Sequence, residues 1–208
     1  MTSTQTMSTD PARIGPNAVL QLMEALKAAG LARLSAPAFA AAGVAEWLVD
    51  PPTVMVEEHR VARLHQTVRS VAPDGQGKLL MAKAGRLTAD YILANRIPKP
   101  AQALLKILPT CFAARVLVPA IGAHAWTFAG SGRFSGRAGP PTVFELAGNP
   151  LCVGERATEP VCAWHAAVFQ RLFQVLVSPA ARVAETDCEA CGDPCCRFVL
   201  DWRQVAPS

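Results

Sequence analysis

Apolar positions recur at helical spacing through the first half of the chain and at strand spacing through much of the second. In AVLQLMEALKAA (18–29), Val19, Leu22, Met23 and Leu26 share one face, with Asn17 as a cap and Gly30 as a stop. A second helix is expected over 37–49, ended by Asp50-Pro51-Pro52. A third, over 57–71, has Val61, Leu64, Val68 and Val71 on one stripe, and Pro73-Asp74-Gly75 predicts a turn after it. A longer helix over 76–96 meets a hard break at Ile97-Pro98-Lys99-Pro100. Residues 101–118 form the most apolar helix, expected to be central, with a kink or stop near Pro109.

The pattern then changes. His124 to Gly130 (HAWTFAG) alternates, as does 133–138, and 143–147 is a short apolar run. Gly130-Ser131-Gly132 and Gly139-Pro140-Pro141 separate them, which predicts short antiparallel strands. Pro160 opens a helix over 161–177, stopped by Ser178-Pro179. Two last strands, 182–188 and 196–202, are joined through Gly192-Asp193-Pro194 as a hairpin. The fold class is α+β: N-terminal helices followed by an antiparallel sheet with a packed helix and a C-terminal metal-binding hairpin. Within one ligand-binding domain we expect a disordered polar tail over 1–15, a helical part over 16–120 and a sheet and metal-binding part over 121–208.

Composition narrows the class. Of 208 residues, 51% are hydrophobic and 17% charged, enough to bury a core and leave apolar area for a ligand. The net charge of +4 is mild and the arginines are scattered, which speaks against nucleic acid. The longest apolar stretch, 101–123, is interrupted by Lys106, Pro109, Arg115 and Pro119, so no membrane span is expected. The N-terminus lacks the apolar core of a secretory signal. The seven cysteines should then stay reduced, and an odd number argues against a complete disulfide framework.

Five of the cysteines fall in the last fifth: Cys162, Cys188, Cys191, Cys195 and Cys196. Cys162 stands in the first turn of its helix, Glu185 and Cys188 at the end of one strand, and Cys196 at the start of its hairpin partner. Three thiolates and a carboxylate from these residues suit a closed structural zinc site. Two other sets remain open. Cys188, Cys191 and Cys195 or Cys196 suit an iron–sulfur cluster. An all-thiolate zinc site from Cys188, Cys191, Cys195 and Cys196 is the other, although adjacent strand residues point to opposite faces. Cys111 and Cys152 read as buried small hydrophobes.

At these residues the chain resembles a known family. The hairpin ETDCEACGDPCCRFVL is similar to the C-terminal signature of the 4-vinyl reductase domain family. These are small-ligand-binding domains found alone and in front of bacterial regulators that sense aromatic effectors. In the sensor members a Cys near a helix start, a Glu-x-x-Cys, a Gly-Asp turn and a further Cys hold a structural zinc beside the ligand pocket. Matched residue by residue, these fall on Cys162, Glu185, Cys188 and Cys196. Upstream, DYILANRIPKPAQALLKILP, the Arg137-Ala138-Gly139 region and NPLC from Asn149 resemble the stand-alone members of purple bacteria that belong to bacteriochlorophyll biosynthesis and 8-vinyl reduction. The resemblance covers most of the chain. Cys191 and Cys195 depart from the sensor pattern and leave a second metal or redox role open. The resemblance implies a homodimer and a chlorophyll-pathway tetrapyrrole as ligand. It also implies bacteriochlorophyll-biosynthesis enzymes as partners and a cytoplasmic place, peripheral to the photosynthetic membrane.

Two functions follow. A reductase needs an electron source, and the nearest glycine-rich loop, Gly130 to Gly136, has the wrong spacing for a dinucleotide and leads into an alternating run rather than a helix. Electrons would have to come from a partner or the cysteine cluster. The favoured function is a non-catalytic carrier that binds a Mg-porphyrin or chlorophyllide intermediate and assists 8-vinyl reduction or a neighbouring step. A ligand-sensing module is disfavoured, since no ATPase or DNA-binding segment is attached. Among His59, His65, His124 and His165, the first two lie beside charges and read as solvated, and His165 reads as support for the metal. His124 beside Trp126 and Phe128 is the preferred axial ligand, with Arg133 and Arg137 placed to meet a propionate.

Overall fold

In the computed structural model, residues 11–73 and 75–203 are described. The tail expected over 1–15 lies outside them as far as residue 10, and so does Asp74 of the expected turn. The described chain begins with β1 (Arg13–Ile14), paired antiparallel with β2 (Val56–Glu57).

Helices dominate the first part: α1 (Asn17–Ala28), α2 (Ser35–Ala41), α3 (Glu58–Val71), α4 (Gln76–Asn95), α5 (Lys99–Ile107) and α6 (Thr110–Ala123). The stripes read from the sequence are the buried ones, Val19, Leu22 and Leu26 on α1 and Val61, Leu64 and Val68 on α3. The helix expected over 37–49 is shorter. α2 stops at Ala41, Gly43 turns the chain at φ 70°, and a 3-10 turn takes 45–48. Only glycine adopts that left-handed turn without strain, so the helix cannot run on. Pro109 is a stop, dividing the expected 101–118 helix into α5 and α6.

α6 is not central as its composition suggested: its outer face leaves Phe112 and Val116 exposed, and Cys111, expected to be buried, is exposed there too. The central pair is α4 and α8 (Ala163–Leu176). Gly85 explains why. A Cβ there would overlap the Trp164 carbonyl, so the missing side chain lets the two backbones meet.

Four strands form the second layer: β3 (Arg133–Arg137), β4 (Thr142–Ala147), β5 (Arg182–Asp187) and β6 (Cys196–Asp201). They run antiparallel in the order β3-β4-β6-β5. Alternation on β4 and β6 turns Phe144, Leu146, Phe198 and Leu200 inward, against Phe169 and Phe173 of α8. Ring centroids of Phe144 and Phe169 are 4.7 Å apart and those of Phe169 and Phe198 5.3 Å, an aromatic layer that binds sheet to helix. Buried side chains of the helical part and of the sheet join in one core.

The strand expected over 124–130 is absent. That segment holds α7 (Trp126–Ala129), one helical turn. Ala125 O accepts from Phe128 N and Ala129 N, at 3.0 and 2.7 Å, and Thr127 Oγ1 donates to His124 O at 2.8 Å. Those local bonds use the groups a ladder would need. The glycine-rich loop at Gly130 therefore joins a helical turn to β3, and no helix follows it.

Candidate metal centre

Four segments converge beneath β6. Cys152 ends a 3-10 turn over Pro150–Cys152, Cys162 immediately precedes α8, Cys188 follows β5, and Cys196 opens β6. Their Sγ atoms lie within 4.8 Å of one another and all four residues are buried. Cys162 Sγ is 3.5 Å from Cys196 and 3.9 Å from Cys188, and Cys152 Sγ is 3.7 Å from Cys196. Disulfide sulfurs stand about 2 Å apart, so these are free thiols gathered round a common point. The group can hold a metal ion.

The surroundings serve the sulfurs. Asn149, fully buried, donates from Nδ2 to Cys162 Sγ at 3.1 Å and to Cys196 Sγ at 3.4 Å. Its Oδ1 accepts from Leu151 N at 3.1 Å, fixing the turn that carries Cys152. Glu189 accepts from Gly148 N and Asn149 N at 2.6 and 2.7 Å, clamping that turn to the β5–β6 connection. Asp193 Oδ2 accepts from Cys188 N at 2.8 Å, and Gly192 takes φ 98° to bring the chain round. Side-chain N–H donors to sulfur favour thiolates and orient them.

Electrostatics point the same way. The neighbouring sulfurs, Cys152 first, push the Cys162 thiol up, while the thiols of Cys152 and Cys162 donate to Cys188 and hold it well down. Four buried sulfurs this close cannot all ionise beside one another unless a cation stands among them.

Of the sequence-predicted ligands, Cys162, Cys188 and Cys196 are in the sulfur group, and Cys152 stands there with them. Glu185 sits beside it on β5. Its Oε2 accepts from Cys162 N at 2.9 Å, and Oε1 is buried without a partner. Burial, then the charge on Cys188, pushes its carboxyl up to about 8. Cys191 is exposed and Cys195 half-buried, both outside the group, as the opposite facing of adjacent strand residues requires for Cys195. Sequence reasoning misses Cys152 because it is remote from the hairpin. Its signal is the Asn-Pro-Leu-Cys turn itself.

The residues expected to meet a pigment are less gathered. His124 and Trp126 are exposed, Trp126 at 59%, and Arg133 and Arg137 project from the open face of β3. Phe128 turns inward, its ring 5.2 Å from Phe134 and 6.0 Å from His165. His65, read as solvated, is fully buried: it sits four residues after Val61, on the apolar stripe of α3. His65 Nε2 is 2.8 Å from Ala18 O, while His65 Nδ1, Trp164 Nε1 and both ring nitrogens of His165 are buried without partners. Burial holds His65 down at about 3 and His165 at about 4. Trp164 lies between the two histidines, 6.1 Å from His65 and 4.9 Å from His165.

This geometry can be set beside known proteins. The 4-vinyl reductase domain family matches residues 142–201, the segment from β4 to β6 that carries all four clustered cysteines. The bacteriochlorophyll synthase 23 kDa chain of Cereibacter sphaeroides is 50% identical over 188 residues, 90% of each chain. Its counterpart in Rhodobacter capsulatus is 42% identical over 193 residues, 92% of this chain and 88% of that one. Among solved structures, the phenol-responsive sensory domain of the transcription activator PoxR, with phenol, shares the fold at TM-score 0.52 and 11% identity, over 70% of this chain and 74% of that one. Identity of this depth over nearly the whole length places the chain in the family of the bacteriochlorophyll synthase 23 kDa chains, with a 4-vinyl reductase domain in its C-terminal part.

Proposed function

We propose that the protein binds a Mg-tetrapyrrole intermediate of bacteriochlorophyll biosynthesis and holds or delivers it for 8-vinyl reduction or a neighbouring step. One observation carries the reading: half of the aligned residues are identical to those of a bacteriochlorophyll synthase chain over 90% of both. In this reading the sulfur group holds zinc. Four thiolates at zinc–sulfur bonds of about 2.3 Å stand about 3.8 Å apart at the corners of a tetrahedron. The separations of 3.5, 3.7 and 3.9 Å fit that figure. Four protein ligands leave no open position for substrate, so the ion ties the hairpin, the Cys152 turn and α8 together.

The pigment would sit where α6, α7 and β3 meet. His124 Nδ1 is 2.9 Å from Ala120 O, and a carbonyl only accepts, so the proton is on Nδ1. Nε2 is left with a free lone pair on an exposed ring, the form an axial Mg²⁺ ligand needs. Trp126 and Phe128 offer flat apolar faces. Arg133 and Arg137, four apart on one face of β3, offer cations to an acidic edge.

Titration of the purified protein with Mg-protoporphyrin, followed by absorption, tests this. A red-shifted bound band is expected, and its absence overturns the reading. His124→Ala should weaken binding about tenfold, about 1.4 kcal/mol, with metal content unchanged. Unchanged affinity would remove His124 from the site. NADPH-dependent reduction of an 8-vinyl substrate by the protein alone would make it the reductase instead.

A further inference from the structure

Helices α5 and α6 leave apolar side chains on the surface on both sides of the Leu108-Pro109 corner. Leu104 is 54% exposed, Ile107 80%, Phe112 52% and Val116 52%. Their spacing is helical, i to i+3 on α5 and i to i+4 on α6, so each pair shares a face. The inner faces are occupied, by Gln102 and Leu105 on α5 and by Ala113, Ala114, Leu117 and Val118 on α6. The outer face of α6 continues through Pro119, Ala120 and Ala123, with Arg115 as its one charge. A helix apolar all round is normally buried on all sides.

Charge gives the second observation. Between Asp90 and Glu145 the sequence has no carboxylate, yet it holds Arg96, Lys99, Lys106, Arg115, Arg133 and Arg137. That segment is more positive than the whole chain, whose net charge is +4. Lys106 adjoins Ile107, and the Arg115 guanidinium lies 5.8 Å from the Phe112 ring centroid. Apolar anchors and their flanking cations therefore share one corner.

We propose that the α5–α6 corner docks on an anionic phospholipid bilayer, with Leu104, Ile107, Phe112 and Val116 in the headgroup–acyl boundary and Lys99, Lys106 and Arg115 among the lipid phosphates. Long basic side chains lay their stems along apolar surface and keep the charge at the headgroups. Each such cation adds about 1 kcal/mol of attraction to an anionic leaflet. A second copy fits worse, because a two-fold contact sets the same cations against one another. A protein groove fits worse too, since lysine is depleted at protein interfaces. No helix among the described residues is long and apolar enough to cross a membrane, so the contact is with the surface of the bilayer.

The test is co-sedimentation of the metal-loaded full chain with pigment-free vesicles, of phosphatidylcholine alone or mixed with phosphatidylglycerol. Without pigment, the outcome stands apart from that of the pigment titration. Binding to the anionic vesicles, release by salt and little binding to the neutral ones are expected. An Ile107→Ser, Phe112→Ser double variant should bind roughly tenfold or more weakly, and so should Lys106→Gln, Arg115→Gln. Val49→Ser, at a site 90% exposed on another part of the surface, should bind like the unaltered chain. All variants should keep their melting temperature and metal. Failure of the unaltered chain to bind anionic vesicles at low salt overturns the proposal, as does full binding by the Ile107, Phe112 variant. A dimer that this variant dissolves, with no vesicle binding, would make the corner a self-interface and overturn it as well.

Discussion

Around Cys196, groups that water would solvate are buried, while along α5 and α6, groups that water rejects are exposed. The sulfur cluster gathers four thiols and a carboxylate edge inside the fold. The α5–α6 corner sets Ile107 and Phe112 outside it. Neither arrangement is comfortable for the chain alone. A cation would relieve the first by balancing the thiolates, and a nonpolar surface would relieve the second by taking up apolar area. The two regions differ in what they bring of their own. The cluster has Asn149, Glu189 and Asp193 already in place to orient it, whereas the corner offers only side chains and charge. A prepared shell of hydrogen bonds points to a resident ion. A bare apolar face with cations beside it points to an occupant that comes and goes.

The largest expected effect breaks the first side of that comparison. Cys188→Ser or Cys152→Ser should empty the site and unfold the C-terminal hairpin, a loss on the order of several kcal/mol, because binding energy at such a site is folding energy. Metal analysis with thermal unfolding measures it, and full stability in a metal-free Cys188→Ser protein would refute a structural role. Glu185→Gln should retain the metal. If it empties the site and Cys152→Ser does not, the fourth ligand is the carboxylate. Cys191→Ser, at an exposed thiol, should change neither quantity.

How far the sequence reached differs between the same two regions. The hairpin was legible because its signals are local: Cys188 and Cys196 flank a Gly-Asp-Pro turn whose chemistry requires a reversal. Cys152 was hidden because its nearest partner in the cluster, Cys196, is 44 residues away and no local rule joins them. α5 and α6 were legible as helices, with Pro109 between them, but their burial was not. Hydrophobicity identified the most apolar helix, while the central position went to α4, where Gly85 gives a close approach that no apolar side chain could. The alternation at 124–130 misled because three alternating residues are too few to distinguish a strand from one helical turn.

A middle-sized effect concerns the histidines packed around Trp164. Burial holds His65 at about 3 and His165 at about 4, below the ordinary histidine value of about 6.5. Between those limits the unfolded chain binds protons that the folded one does not. Their contribution to stability is therefore complete above about pH 6.5 and falls as the pH drops towards 4, with a slope approaching about 2.7 kcal/mol per unit for two sites. Urea unfolding at pH 7, 6 and 5, with metal content followed in parallel, reads the slope. His65→Gln should roughly halve it. A flat profile with metal retained would mean the two rings are not held neutral.

The smallest expected effect tests the second side. Phe112→Ser on the α5–α6 corner should change stability by no more than about 0.5 kcal/mol, the range for exposed sites. Phe169→Ala, which empties a buried ring from the layer between α8 and the sheet, should cost about 3–5 kcal/mol. Melting of the two variants side by side measures the contrast. The value of the small number lies in what it separates. A phenylalanine that contributes nothing to folding, while its loss removes vesicle binding, is kept apolar by something outside the chain. A Phe112→Ser protein that melts like the Phe169 variant would instead place Phe112 in the core energetics, and the apolar face of α6 would then need no partner to explain it.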